Sequence, residues 1–165
     1  MSENASVRPY RESDADALWE LKRGFELGLG SDTGGDDKRT KYEQKLTDGY
    51  RTDWLAWVQR CTDEDGDCVQ VAADGRRVVG YVFVLPASLA FIWDAAVLNE
   101  LYLVPEARGT GLADDLMEAA LACARGQDLP LDRLVLDVDA DNERAGAFYR
   151  RWGFEHWGEM VARDL

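Results

Sequence analysis

Leu101-Tyr102-Leu103-Val104-Pro105-Glu106-Ala107-Arg108-Gly109-Thr110-Gly111-Leu112-Ala113 runs from an apolar strand, through a proline and two glycines, into a helix. Pro105 has no N–H to give to a ladder, so the strand ends there. Gly109 and Gly111 remove the side chains that would hold a ligand away from the main chain. Beyond them Leu112, Leu116, Met117, Ala120, Leu121 and Ala124 recur at helical spacing, which predicts a helix from about Gly109 to Gln127. The unpaired N–H groups of its first turn carry roughly half a positive charge, which suits a phosphate group. Arg108 adds a full charge at the mouth. An ordinary strand-turn-helix connection would use the same glycines. The stretch has neither the Gly-Lys-Ser/Thr of a nucleotide loop nor the Gly-x-Gly-x-x-Gly of a dinucleotide turn.

A second stretch follows: Leu134-Val135-Leu136-Asp137-Val138-Asp139-Ala140-Asp141-Asn142-Glu143-Arg144-Ala145-Gly146-Ala147-Phe148-Tyr149-Arg150-Arg151-Trp152-Gly153-Phe154. Together the two resemble the GCN5-related N-acetyltransferase (GNAT) superfamily. The turn of that superfamily reads Arg/Gln-x-x-Gly-x-Gly/Ala, and its last helix reads Asn-x-x-Ala-x-x-x-Tyr, then Gly-Phe. Arg108, Gly111 and Ala113 stand at the first motif, and Asn142, Ala145, Tyr149, Gly153 and Phe154 at the second, in the family's order. Ala113 takes a place where glycine is commoner. The resemblance is strong from about Val78 to the C-terminus and less specific before it.

The resemblance implies an α/β (α+β) fold. Its mixed, mostly antiparallel sheet has six or seven strands, splays into a V between strands 4 and 5, and is flanked by about four helices. It implies an N-acetyltransferase that moves the acetyl group of acetyl-CoA to a primary amine of a small molecule or protein. The runner-up is a non-catalytic acyl-CoA-binding regulatory module. By position, Leu101, Tyr102 and Leu103 would pair with the pantetheine arm. Arg108, Gly109, Thr110, Gly111, Leu112 and Ala113 would take the pyrophosphate, and Asn142 would contact the arm. Tyr149 stands at the general-acid position, although Ala145, Phe148, Tyr149 and Trp152 also form a helical stripe that would be core in many folds. Two carboxylates compete as base: Asp137, expected on a buried strand, and Glu100, on the strand before the turn and slightly favoured. Burial would raise either pKa, as a general base wants. Aspartate is a methylene shorter than glutamate, which counts against direct contact from Asp137.

Composition narrows the setting. A chain of 165 residues, 46% hydrophobic, suits one domain over 1–165. No apolar run approaches the ~20 residues of a membrane span, and Met1-Ser2-Glu3-Asn4 is unlike a secretory signal, so a cytoplasmic protein is expected. The net charge of −13 makes nucleic acid a poor partner. With twenty Asp against twelve Glu, and four Lys against fifteen Arg, it resembles proteins of salt-adapted organisms. In ~1 M salt the screening length falls to about 3 Å, and an acidic surface repels little. Cys61, Cys68 and Cys123 fit neither a disulfide framework nor a zinc spacing, and the acidic turn 62–67 lacks the bidentate glutamate of a calcium loop, so no metal is expected. Family precedent leaves a homodimer open.

The remaining elements follow from pattern. A strand is predicted over Ala5–Tyr10, then a helix whose capped start is Ser13-Asp14-Ala15-Asp16, a mobile loop over Gly28–Asp37, and helix over Lys38–Arg60 with a break near Asp48-Gly49. Asp67–Ala73 and Arg77–Leu85 form a hairpin. Strands over Ala95–Val104 and Arg133–Val138, a helix over Asn142–Trp152 and a terminal strand near His156–Arg163 complete the order. Trp54 and Trp57, spaced i, i+3, read as a helix's buried face, and with Trp93 would otherwise wall an acceptor pocket. His156 has no catalytic partner nearby in the sequence.

Overall fold

The computed structural model describes residues 4–32 and 35–165. β1 (Ala5–Pro9) leads through a short 3-10 turn to α1 (Ala15–Asp32). α2 (Gly35–Lys45) and α3 (Asp48–Glu64) follow. Next come β2 (Val69–Asp74), β3 (Arg77–Val84), β4 (Ala96–Leu103), α4 (Leu112–Arg125), β5 (Leu134–Val135) and α5 (Glu143–Arg151).

Local chemistry sets the helix starts. Asp14 accepts from the backbone N–H of Arg11 at 2.9 Å and from both terminal nitrogens of Arg8 at 2.8 and 2.9 Å, closing the turn ahead of α1. Thr47 caps α3 by accepting from the Tyr50 N–H at 3.1 Å. This cap places the break of the second helical region at 46–47, one residue before the Asp48-Gly49 pair. The expected loop over Gly28–Asp37 is instead helical up to Asp32 and again from Gly35. Residues 33 and 34, and Met1–Glu3, lie outside the described residues.

The sheet order is β1-β2-β3-β4-β5, antiparallel except for β4 with β5. Alternation along the strands divides the core. Tyr81, Phe83, Glu100 and Tyr102 face α1 and α3, where Trp57 meets Phe83 at 5.1 Å between ring centroids. Val82 and Leu103 turn to the other side, with Leu112, Leu116, Met117 and Ala120 of α4 in the same core. Each of the valine, leucine and methionine side chains among them contributes about 1.5–3 kcal/mol on burial.

Four further expectations are corrected. The sheet has five strands among the described residues, where six or seven were expected. Residues 154–165 form no strand: Trp157, Met160 and Val161 fall on no single face of a period-two chain, and all three are exposed. The strand expected over Arg133–Val138 shrinks to Leu134–Val135, both half-buried, because among the described residues it has a neighbour on one side only and it runs into the acidic stretch from Asp137. Finally, α4 begins at Leu112 and not at Gly109, since Gly109 and Gly111 sit at φ +76° and +90°, outside helical space.

Candidate functional site

β4 and β5 pair only through Ala96 with Leu134 and Val97 with Val135. Beyond Val97 the two strands no longer pair, so the rest of β4 has an open edge. A register shift opposite Phe83 and Val84 decides which backbone groups line that edge. The Val104 N–H donates to Val79 O at 2.9 Å. The antiparallel alternation then turns the backbone groups of Glu100 and Tyr102 toward β3, and those of Leu101 and Leu103 toward the cleft. Tyr102 therefore departs from expectation, and its backbone serves the sheet. Its side chain lies under α1 at Gly24, where an added Cβ would come within 2.5 Å of the hydroxyl.

At the end of β4 the chain passes a 3-10 turn over Pro105–Ala107 and reaches the two glycines. No backbone or side-chain acceptor among the described residues takes the N–H groups of residues 109–114; the first helical pairing nearby is Asp115 N–H to Gly111 O. A Cβ on either Gly109 or Gly111 would meet nothing within 4 Å, so it would project into open space beside those donors. Thr110 braces the turn by donating its hydroxyl to Ala107 O at 2.6 Å. Arg108 donates Nε–H to Leu103 O at 3.2 Å, with its guanidinium 5.7 Å from the Tyr102 ring centroid.

α5 borders the cleft from the β5 side. Asn142 caps it, its Oδ1 accepting from the Ala145 N–H at 3.1 Å, which leaves the amide N–H groups to offer. Ala145, Phe148, Tyr149 and Trp152 are half-buried, so the stripe is not sealed in the core. Tyr149 lies edge-on to Phe148 and Phe154, with centroids 5.4 and 5.6 Å away. Its hydroxyl makes no hydrogen bond among the described residues, and burial pushes its pKa up to about 12. Gly153, at φ +84°, lets the chain turn back so that the Phe154 N–H reaches Tyr149 O at 3.0 Å.

The two candidate bases stand in different surroundings. Glu100 is 4% exposed. It accepts from Lys22 Nζ at 2.9 and 2.8 Å and from the Tyr81 hydroxyl at 3.1 Å. Burial raises its pKa, and the Lys22 ammonium pulls against that rise. Asp137 was expected on a buried strand, but it is exposed, two residues past the end of β5. Of the tryptophans, Trp54 is buried on α3, 6.3 Å from Trp19 between ring centroids, and Trp93 is exposed on the β3–β4 connection.

Sequence reasoning missed Lys22, Glu26 and Tyr81. Lys22 and Glu26 are spaced i, i+4 within the apolar stripe of α1, and a charged pair on such a face is the signal that could have drawn attention to them.

These features define an α/β protein whose sheet opens beside a row of free backbone N–H groups. A model of the Acetyltransferase (GNAT) family matches residues 34–154, and the chain belongs to that family. It is 40% identical over 108 residues to an uncharacterized N-acetyltransferase of Mycobacterium tuberculosis, covering 65% of this chain and 64% of that protein. It is also 41% identical over 74 residues to the mycothiol acetyltransferase of Salinispora tropica. That match covers 43% of this chain and only 24% of the relative.

Among solved structures, PaiA N-acetyltransferase of Thermoplasma acidophilum in complex with coenzyme A aligns with a TM-score of 0.73 at 20% identity, over 94% of this chain and 91% of that one. Ribosomal-protein-alanine N-acetyltransferase of Brucella melitensis aligns with a TM-score of 0.69 at 24% identity, over 92% and 85%. Both likenesses concern the fold. No helix among the described residues is long and apolar enough to cross a membrane.

Proposed function

We propose that this chain is an acetyl-CoA-dependent N-acetyltransferase acting on a primary amine of a small molecule or protein. The observation that carries the reading is the row of unpaired N–H groups at residues 109–114, opened by two left-handed glycines at the end of a strand whose edge is free. Such a row fits a pyrophosphate, and the free edge of β4 fits an extended amide-bearing arm. Acetyl-CoA, when bound, supplies an activated acetyl group on a thioester.

The chain's own residues would bind, orient and move protons. Residues 109–113 hold phosphate oxygens beside Arg108, and Leu101 and Leu103 offer backbone donors and acceptors to the arm. Asn142 offers its amide N–H. Tyr149, kept neutral by burial, holds a proton for the departing thiolate. Glu100 takes the proton of the incoming amine. The Oε1 atom keeps a lone pair for this purpose, since among the described residues it has, besides Lys22, only a long 3.5 Å contact from Asn99. Asp137, exposed beyond β5, is the less favoured base.

The test is thiol release from acetyl-CoA across a panel of small amines and peptide amines. Amine-dependent release supports the enzyme. Saturable binding of acetyl-CoA with no release from any amine favours the non-catalytic acyl-CoA-binding module.

A further inference from the structure

The chain holds four lysines, all within residues 22–45, against fifteen arginines. Lys22 is 4% exposed. An ammonium has three N–H donors. Glu26 Oε1 lies at 2.6 Å, Glu100 Oε1 at 2.9 Å and Glu100 Oε2 at 2.8 Å, so all three are used. The ring centroids of Trp54 and Phe25 stand 5.1 and 5.4 Å from the same nitrogen. A buried pair of this kind is weak as a source of stability, because desolvation offsets the Coulomb gain. Its value lies elsewhere.

We propose that Lys22 is a positioning residue for acetyl transfer: from α1, its ammonium fixes the Glu100 carboxylate in one orientation on β4 and keeps it ionised. The role rests on the reading of Glu100 as the base. Groups from several elements face the carboxylate or its partners. α1 supplies Lys22 and Glu26, α2 supplies Lys45, which pairs with Glu26 Oε2 at 2.8 Å, and α3 supplies Tyr50. β3 supplies Tyr81, and β4 itself supplies Asn99. Burial and the Glu26 charge push the Glu100 carboxyl up, whereas Lys22 and the Tyr81 hydroxyl pull it down. Lys22 is thus the one full positive charge in direct contact with Glu100 among the described residues.

The experiment is the pH dependence of kcat/KM for amine-dependent thiol release. In Lys22→Met, and in Lys22→Gln, which keeps N–H donors without the charge, the acid limb moves upward by about one to three pH units. Lys22→Arg keeps the limb near its original place. Glu26→Gln leaves Lys22 to Glu100 alone and moves the limb downward, so the test survives if the neutral Lys22 variants fail to fold. Equal loss of rate at every pH, with the limb unmoved in all folded variants, overturns the proposal. Glu100→Gln separates the two layers. Full activity in that variant removes the base itself, whereas an inactive Glu100→Gln beside unmoved limbs removes only the role of Lys22.

Discussion

Trp152 Nε1–H donates to Asp114 Oδ1 at 2.8 Å, and the Arg151 guanidinium reaches the same oxygen at 3.0 Å. One carboxylate in the first turn of α4 thereby holds the C-terminal end of α5. The glycine turn and the helix carrying Tyr149 are fixed to each other through that contact.

Asp114→Ala removes both bonds and is expected to lower stability by about 1–2 kcal/mol, from one part-buried hydrogen bond and one exposed ion pair. For a domain of this size that amounts to a fall in Tm of roughly 2–8 °C, read by circular dichroism or calorimetry. A Tm unchanged within a degree would mean that the two helices are held by packing alone.

Tyr149→Phe keeps the ring against Phe148 and Phe154 and removes only the hydroxyl. Turnover is expected to fall by roughly 10²-fold, the low end for a general acid, while the affinity for CoA stays within a few-fold. With its pKa pushed up to about 12, Tyr149 keeps its proton throughout the neutral range. The wild-type rate should therefore show no alkaline loss assignable to this residue below about pH 11, where a group of that pKa begins to ionise.

The two motifs were legible because each rests on a local rule. Pro105 stops a strand, left-handed glycines free backbone donors, and Asn142 and Gly153 bracket a short helix. The element order from Val69 to Arg151 was legible for the same reason, since its periods of two and of helical spacing alternate cleanly. Strand number was not. β5 reads as a strand in isolation, yet Asp137 and Asp139 follow closely and no further strand among the described residues pairs with it. The backbone direction of Tyr102 depends on a one-residue register shift opposite Phe83, and a shift in pairing leaves no mark in composition. Lys22 and Glu100 meet across 78 residues, beyond the reach of any local pattern.

Asp14 tests the start of the fold by pH. The Arg8 hydrogen bonds hold its carboxyl below the ordinary value of 3.8 despite partial burial. A depressed pKa stabilises the folded state above the unfolded value and ceases to do so as pH falls through the folded one. Asp14→Ala should cost about 1–2 kcal/mol at pH 7, from a lost cap and ion pair. In urea melts that difference should shrink steadily as the pH is lowered beneath 3.8. A difference that is the same at pH 7 and pH 3 would assign the cost to packing instead of charge.

The most direct measurement is calorimetric titration of coenzyme A and acetyl-CoA into the wild-type chain and into Gly111→Val, at both low and ~1 M salt to cover the acidic surface. One site with a dissociation constant at or below about 1 mM is expected for the wild type, within the span of ordinary enzyme KM values. In Gly111→Val, a side chain at φ +90° standing beside the free N–H groups should weaken binding at least about tenfold, a loss near 1.4 kcal/mol. Absence of heat for the wild type at either salt concentration, or equal affinity in the two proteins, would contradict an anion cradle at residues 109–113.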